Sequence, residues 1–356
     1  MDIVLEVCDT FLFDPLYATL LPAQASSFTA NATANATLSS IRQEPTAYAL
    51  PHASWQYEPA TKYFSIEPSK YAYMSSWPRD DWRRQALTLY LITWLFGVCV
   101  YYLFAGLSYL LVFDKATFNH PRYLKHQIKL EMKQANIAFP IMAIFTVPWF
   151  LAEVRGYSKL YDTTEEGPGR WYDYLQIPFF IAFTDLCIYW IHRGLHHPMV
   201  YKHIHKPHHK WIMPTPFASH AFHPIDGYAQ GLPYHIFPFL FPLSKIASVA
   251  FFVFVNIWTV LIHDGEYAHN SPIINGAACH TMHHLYFNYN YGQFTTLWDR
   301  LGGSYRKPND ELFKRELKMC QDEWNKQAKA VDMMVEQVEG ENDRSYQGEP
   351  ESKKVQ

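Results

Sequence analysis

Three histidine clusters crowd the second half of the chain: His192-x-x-x-His196-His197, His205-x-x-His208-His209 and His280-x-x-His283-His284. Of the 18 histidines, 15 lie between positions 192 and 284, where an even spread would leave roughly five. Imidazole is a common ligand for transition metals, and several held close together suit one or more ions. On a helix, residues three and four apart share a face. Each cluster can therefore aim two or three imidazoles at one point. Pro207 would break a helix interior but is tolerated in a first turn, so the second cluster is expected at a helix start. The five cysteines (Cys8, Cys99, Cys187, Cys279, Cys320) form no CxxC pair, so neither a thiolate site nor a disulfide framework is indicated.

The elements that must position these imidazoles are apolar blocks. The mean hydropathy of -0.19 alone suggests a soluble protein, but the apolar residues are concentrated. Residues 86 to 113 contain no charge, enough to span a hydrocarbon core of about 30 Å with some tilt. A second block, Ile137 to Ala152, is short for a span and is interrupted by Pro140 and Pro148. A third, Tyr174 to Ile191, leads straight into His192 and contains Asp185, two helical turns before that histidine. A carboxylate in such a segment is costly, and Asp185 is a candidate for orienting an imidazole or for a polar contact between helices. Residues 229 to 262 are broken by Pro233, Pro238 and Pro242 and read as a hairpin entering and leaving on one side, or as two short spans.

This divides the chain into a leader over 1–85, a membrane-embedded domain over 86–308 and a charged tail over 309–356. The leader begins with Asp2, Glu6 and Asp9, unlike a cleaved signal peptide, and carries sequons at Asn31 and Asn35. Within the tail, about 310 to 338 could form an amphipathic surface helix, and the end looks disordered. Lys115, Arg122, Lys125, Lys129 and Lys133 place the first loop in the cytosol by the positive-inside rule, with the leader in the lumen. All three clusters then meet on the cytosolic face. Arg79, Arg83 and Arg84, on the opposite flank of the first span, argue mildly the other way. The terminal Lys353-Lys354 matches an endoplasmic-reticulum retrieval signal. A net charge of -3 gives no reason to expect nucleic-acid binding.

Three histidine boxes among apolar spans resemble the fatty acid hydroxylase / sterol desaturase superfamily of membrane di-iron oxidases. The flanks Lys206-Pro207-His208-His209-Lys210-Trp211, Ser219-His220-Ala221-Phe222-His223-Pro224, His263-Asp264-Gly265 and Phe294-Thr295-Thr296-Leu297-Trp298-Asp299-Arg300 are similar to those of fungal C-5 sterol desaturases of the lathosterol oxidase type. The resemblance covers roughly residues 85 to 310. It implies an all-α membrane protein, with about four transmembrane helices or helical hairpins under a cytosolic helical cap that holds a dimetal site. It implies multi-pass residence in the endoplasmic reticulum membrane, with the boxes and C-terminus cytosolic.

The resemblance further implies O2-dependent 5,6-desaturation of a delta-7 sterol of the episterol or lathosterol type in ergosterol synthesis. The sterol would enter from the bilayer. Two Fe ions would be the cofactors, with electrons from NAD(P)H through cytochrome b5 and its reductase. The ligands carried over are His192, His196, His205, His208, His209, His280, His283 and His284, with His263 and His223 as the two outside the boxes. His197, His203, His220 and His269 are weaker candidates. Asp226 and Glu266, with Asp185 and His197, are candidates for orienting the ligands. No sterol-contacting residue is singled out. Three other readings compete. The same chemistry could act elsewhere, as a sterol C-4 methyl oxidase, a fatty acyl hydroxylase or an aldehyde deformylase. A histidine-lined metal transporter would keep its site at mid-membrane depth. A zinc protease would need a His-Glu-x-x-His that the chain lacks.

Overall fold

A computed structural model of the chain describes residues 1–23, 55–268 and 270–339. The two sequons, His269 and the dilysine end lie outside these residues. The described chain is mostly helical: α1 (Asp2–Cys8), α2 (Asp14–Leu20), α3 (Trp82–Leu111), α4 (Gln127–Val154), α5 (Arg170–Leu195), α6 (Pro198–Ile204), α7 (Lys206–His209), α8 (Pro224–Leu240), α9 (Lys245–Ile262), α10 (Ala277–Tyr286), α11 (Leu297–Leu301), α12 (Arg315–Lys318) and α13 (Gln321–Glu339). Two short strands, β1 (Leu160–Tyr161) and β2 (Leu243–Ser244), pair in parallel.

Four of these helices, α3, α4, α5 and α9, are long and apolar enough to cross a membrane, and the chain is a multi-pass membrane protein. The bounds differ from those read in the sequence. The first span is Trp82–Leu111, beginning four residues before the uncharged run, since a helix can start in polar surroundings. The second is no short block. Pro140 and Pro148 lie inside a continuous 28-residue helix, as prolines do where neighbouring groups satisfy the freed backbone. The third runs on past Ile191 to Leu195, so His192 belongs to the helix itself.

The chain forms two compact units, Met1–Ile92 with Val147–Tyr157, and Thr93–Thr146 with the remainder. In the first, α1 and α2 are joined by a π-helical turn, Asp9–Phe13, where the sequence reading expected no element. Arg84 is fully buried and reaches Asp9 (3.1 Å) and Asp14 (2.6 Å), while Arg79 reaches Asp14 (2.5 Å). Arg83 pairs with Asp81 at 2.6 Å. The arginines that flank the first span are therefore paired, not free cations.

In the second unit, α5 ends at the histidines, and α8 leaves them and packs along α5. At the far end β2 pairs with β1, and α9 then returns. α8 and α9 thus form the helical hairpin that the proline-broken block suggested, with Pro233 and Pro238 inside α8. The ends of α5 and α9 and the short helices α7 and α10 bring the clusters together. α10 packs beneath α13. Met282, Leu285 and Tyr286 of α10 share a core with Val331 of α13. Burying each such side chain contributes about 1.5–3 kcal/mol, and this holds the third cluster in place. α4 holds the second: Gln127 donates to the Met213 carbonyl (2.8 Å) and Gln134 to that of Pro207 (3.2 Å).

Candidate metal centre

His192 lies in the last turn of α5 and His196 caps it, one turn apart on one face. His205 closes α6 and opens α7, with Pro207 in the first turn, as its chemistry led one to expect. His263 caps α9, and α10 carries His280, His283 and His284. Nine of these imidazoles form two groups, His192, His196, His205, His209 and His283 in one, His208, His263, His280 and His284 in the other. Within each group the ligand atoms lie within 4.8 Å of one another. The division is regular. In both H-x-x-H-H boxes the i and i+4 rings go to one group and the i+3 ring to the other. Thus His205 and His209 join the first group while His208 joins the second, and His280 and His284 join the second while His283 joins the first. The groups adjoin, with His209 and His284 ring centroids 5.0 Å apart.

The hydrogen bonds test whether a metal fits. A neutral imidazole has one N–H and one lone pair. Nδ1–H of His192 donates to the Tyr291 carbonyl (3.0 Å), and Nδ1–H of His205 to the Asp226 carboxylate (2.7 Å). Both Nε2 atoms are then lone pairs, yet they stand 3.1 Å apart. Two lone pairs face each other stably only across a cation. Two nitrogens at about 2.1 Å from one ion, at right angles, lie about 3.0 Å from each other, which matches the separation here. His283 and His263 are oriented in the same way, through the carbonyls of Tyr289 (2.7 Å) and Thr259 (2.6 Å). Their Nε2 atoms lie 3.0 Å from that of His209 and 2.9 Å from that of His280.

Burial, and then the neighbouring imidazoles, hold His208, His209, His280, His283 and His284 well below the usual histidine range. Burial takes His263 down to about 3. These rings are neutral near pH 7, the form that ligates a metal. The donor set is nitrogen alone, without the bridging carboxylates of soluble helix-bundle di-iron sites.

The other sequence candidates fall into place differently. Asp226, in the first turn of α8 and fully buried, orients His205 and receives the Gln230 amide at 2.8 Å. Asp185 does not touch His192. It accepts the backbone N–H groups of Gln293, Phe294 and Thr295 and the Thr295 hydroxyl (2.5–3.1 Å), so it fixes the loop whose Tyr291 carbonyl meets His192. Glu266 touches no histidine among the described residues; it pairs with Lys318 (3.0 Å) and accepts from Asp114 N (3.2 Å). His223 is not brought to either group. Its Nδ1 caps α8 through Ile225 N at 3.3 Å, because a side chain at that position folds back onto its own helix start. His197 is exposed and caps α6, and His203 is exposed. His220 is buried between Ser219 and Asn256, outside both groups.

Sequence reasoning missed Asp299. It accepts from Tyr291 N and Gly292 N (2.8 Å each) and Ser304 Oγ (2.8 Å), and so clamps the same loop as Asp185. Gly292 has no room for a side chain, since a Cβ would fall 2.5 Å from the Thr295 carbonyl. The signal available was one buried-type carboxylate in the aromatic flank at 294–300. Beside the histidines lies a partly open cavity of about 160 Å³. Four imidazoles of the two groups, His192, His208, His263 and His280, line it, together with His220 and His235.

Residues 177–304, which hold all nine histidines, match the model of the fatty acid hydroxylase family. A Delta(7)-sterol 5(6)-desaturase of Leptosphaeria maculans is 99% identical over 356 residues, the whole of both chains. A probable Delta(7)-sterol 5(6)-desaturase of Neurospora crassa is 62% identical over 98% of each chain. A Delta(7)-sterol 5(6)-desaturase of Aspergillus fumigatus is 59% identical over 99% of each. No solved structure matches. Spans, paired histidine groups and relatives of this identity over the full length agree: the chain belongs to the fatty acid hydroxylase family, among its Delta(7)-sterol 5(6)-desaturases.

Proposed function

We propose that this chain is a membrane oxidoreductase that introduces the 5,6 double bond into a delta-7 sterol on the ergosterol route. The observation that carries the reading is the pair of buried, all-imidazole groups opening onto an apolar cavity. The full-length relatives support the substrate class. The overall reaction removes two hydrogens from the sterol and reduces O2 to two waters, which requires two further electrons and two protons. Those electrons are assigned to NAD(P)H through cytochrome b5 and its reductase. Two iron ions, when bound, supply the O2 activation and C–H oxidation.

The chain's own residues do the rest. His192, His196, His205, His209 and His283 are the ligand set for one ion, and His208, His263, His280 and His284 for the other. His223 is left out of the set because its ring caps α8. Asp226 and the carbonyls of Tyr289, Tyr291 and Thr259 hold the Nδ1 protons, keeping each Nε2 turned inward. The apolar helices exclude water and orient the sterol against the imidazoles. The enzyme is assigned to the endoplasmic reticulum membrane with the histidine face cytosolic. The basic run Lys115, Arg122, Lys125, Lys129 and Lys133 supports that orientation by the positive-inside rule.

The test is complementation of a fungal strain lacking C-5 sterol desaturation, with sterols read by gas chromatography and mass spectrometry. Wild type restores 5,7-diene sterols, and His283→Ala, equally expressed, does not. A wild-type chain that reaches the membrane and leaves delta-7 sterols unconverted refutes the assignment.

A further inference from the structure

The cavity beside the histidines is lined mainly by aromatic and aliphatic side chains, with two linked polar sets, Thr146 with His235 and Ser219 with His220 and Asn256. Ser219 Oγ lies 3.0 Å from His220 Nδ1, and His220 Nε2 lies 3.3 Å from Asn256 Oδ1. Because Asn256 Oδ1 can only accept, His220 Nε2 carries the proton and Nδ1 accepts from the serine. Asn256 Nδ2 donates to the Phe252 carbonyl at 2.7 Å. A carboxamide has two donor hydrogens and two acceptor lone pairs. Asn256 is therefore left with one donor and one acceptor beside the cavity, the complement of a hydroxyl group, which donates once and accepts.

Position adds a second argument. Asn256 lies in α9, whose 18 residues are otherwise almost wholly apolar. An amide there is costly unless a partner meets it, and such residues mark function. It lies seven residues before His263, two turns along the same face, so about 10.5 Å along the axis. A delta-7 sterol carries a single nuclear polar group, the 3β-hydroxyl, and only one carbon separates C3 from C5. The group that holds that hydroxyl must therefore lie close to the imidazoles, while the rings and tail extend away from them. Aromatic rings frame the set: His220 sits 5.3 Å from Phe139 and 6.0 Å from Phe222, and Phe222 lies 5.9 Å from His208.

We propose that Asn256, braced by His220 and Ser219, anchors the sterol 3β-hydroxyl and sets which carbons face the metals. It is a positioning residue, and this role rests on the sterol desaturase reading above. A rival anchor exists in the same cavity: the Tyr234 hydroxyl, buried without a partner.

The experiment compares cholest-7-en-3β-ol with its 3-deoxy counterpart, cholest-7-ene, in microsomes carrying wild type, Asn256→Leu or Tyr234→Phe. Wild type prefers the hydroxysterol in kcat/KM by at least about 100-fold, because a site built for a hydroxyl rejects its absence. Asn256→Leu collapses that preference to below about 3-fold and retains activity on the deoxysterol. Should the leucine variant not accumulate, Asn256→Val serves the same comparison. Tyr234→Phe leaves the preference intact. A merely structural Asn256 would lose activity on both sterols in proportion, and that unchanged ratio overturns the proposal. So does a preference lost in Tyr234→Phe and kept in Asn256→Leu. Failure of wild type to convert either sterol refutes the desaturase reading itself, and the anchor with it.

Discussion

Asp226→Asn isolates the charge that orients one ligand. The Asp226 and His205 side chains are both fully buried, 2.7 Å apart, and the second carboxylate oxygen already holds the Gln230 amide. Asparagine keeps the shape and one acceptor but loses the negative charge. A hydrogen bond to a charged group contributes about 1.5–3 kcal/mol, against about 0.5–1.5 for a neutral one. The difference of about 1–2 kcal/mol corresponds to a fall of about 5- to 30-fold in affinity for an ion bound at the proposed site of His205. The range agrees with the 10- to 100-fold losses typical when a ligand's orienting partner is changed. Purified wild type and variant would be dialysed against graded chelator and their metal content read by mass spectrometry, with sterol conversion in parallel. The variant should release one ion at lower chelator and keep the other. Unchanged retention and unchanged conversion would refute the claim that the carboxylate supports a ligand.

Three further outcomes follow from other parts of the molecule. Gly292→Ala forces a methyl to within 2.5 Å of the Thr295 carbonyl and 3.0 Å of Asp299 Oδ2, so the loop that orients His192 must shift. Sterol conversion should fall at least about tenfold with α-helix content unchanged by circular dichroism. Val331→Asp places an unpaired carboxylate in the core that holds α10, where Val331 is 1% exposed. It should lower stability by more than about 3 kcal/mol, read as a clear drop in melting temperature in detergent. The metal-free protein should lose stability as pH falls. His263 and His220 stay neutral when folded, at about 3 and about 4, while the unfolded chain takes up protons near its ordinary value of about 6.5. The folded state therefore binds fewer protons, and stability present above about pH 6.5 declines by up to about 1.4 kcal/mol per unit per histidine toward those folded values. A flat melting temperature between pH 7.5 and 5 would contradict it.

Much of the site was legible because its signal is local. The i, i+3, i+4 spacing of His205, His208 and His209 and of His280, His283 and His284 marks the rings that one helix can bring together, but the split of each box, with its i+3 ring in the other group, emerges only when the helices pack. The position of Pro207 at a helix start also follows from one residue's chemistry. His263 was reached only through a family resemblance, since one histidine after an apolar helix carries no periodicity of its own. His223 shows the limit of that route. Its place in the chain suited a ligand, but its backbone position at a helix start turns the ring into a cap. Asp185 was recognised as costly in an apolar segment, yet its partner was a loop more than a hundred residues later, a contact no local pattern reveals. Asp299 and Gly292 were silent for the same reason. The spans were found by composition, but their ends were not, because prolines inside α4 read as breakers until neighbouring helices are present to satisfy the backbone.

The central claim is that nine histidines hold two ions in separate but adjoining groups. Metal content per chain in desaturation-active purified protein tests it most directly, with His209→Ala and His284→Ala alongside. The account predicts two irons per wild-type chain, and in each variant selective loss of the ion whose group was cut. One iron per fully active wild-type chain, or two retained in both variants, would contradict it.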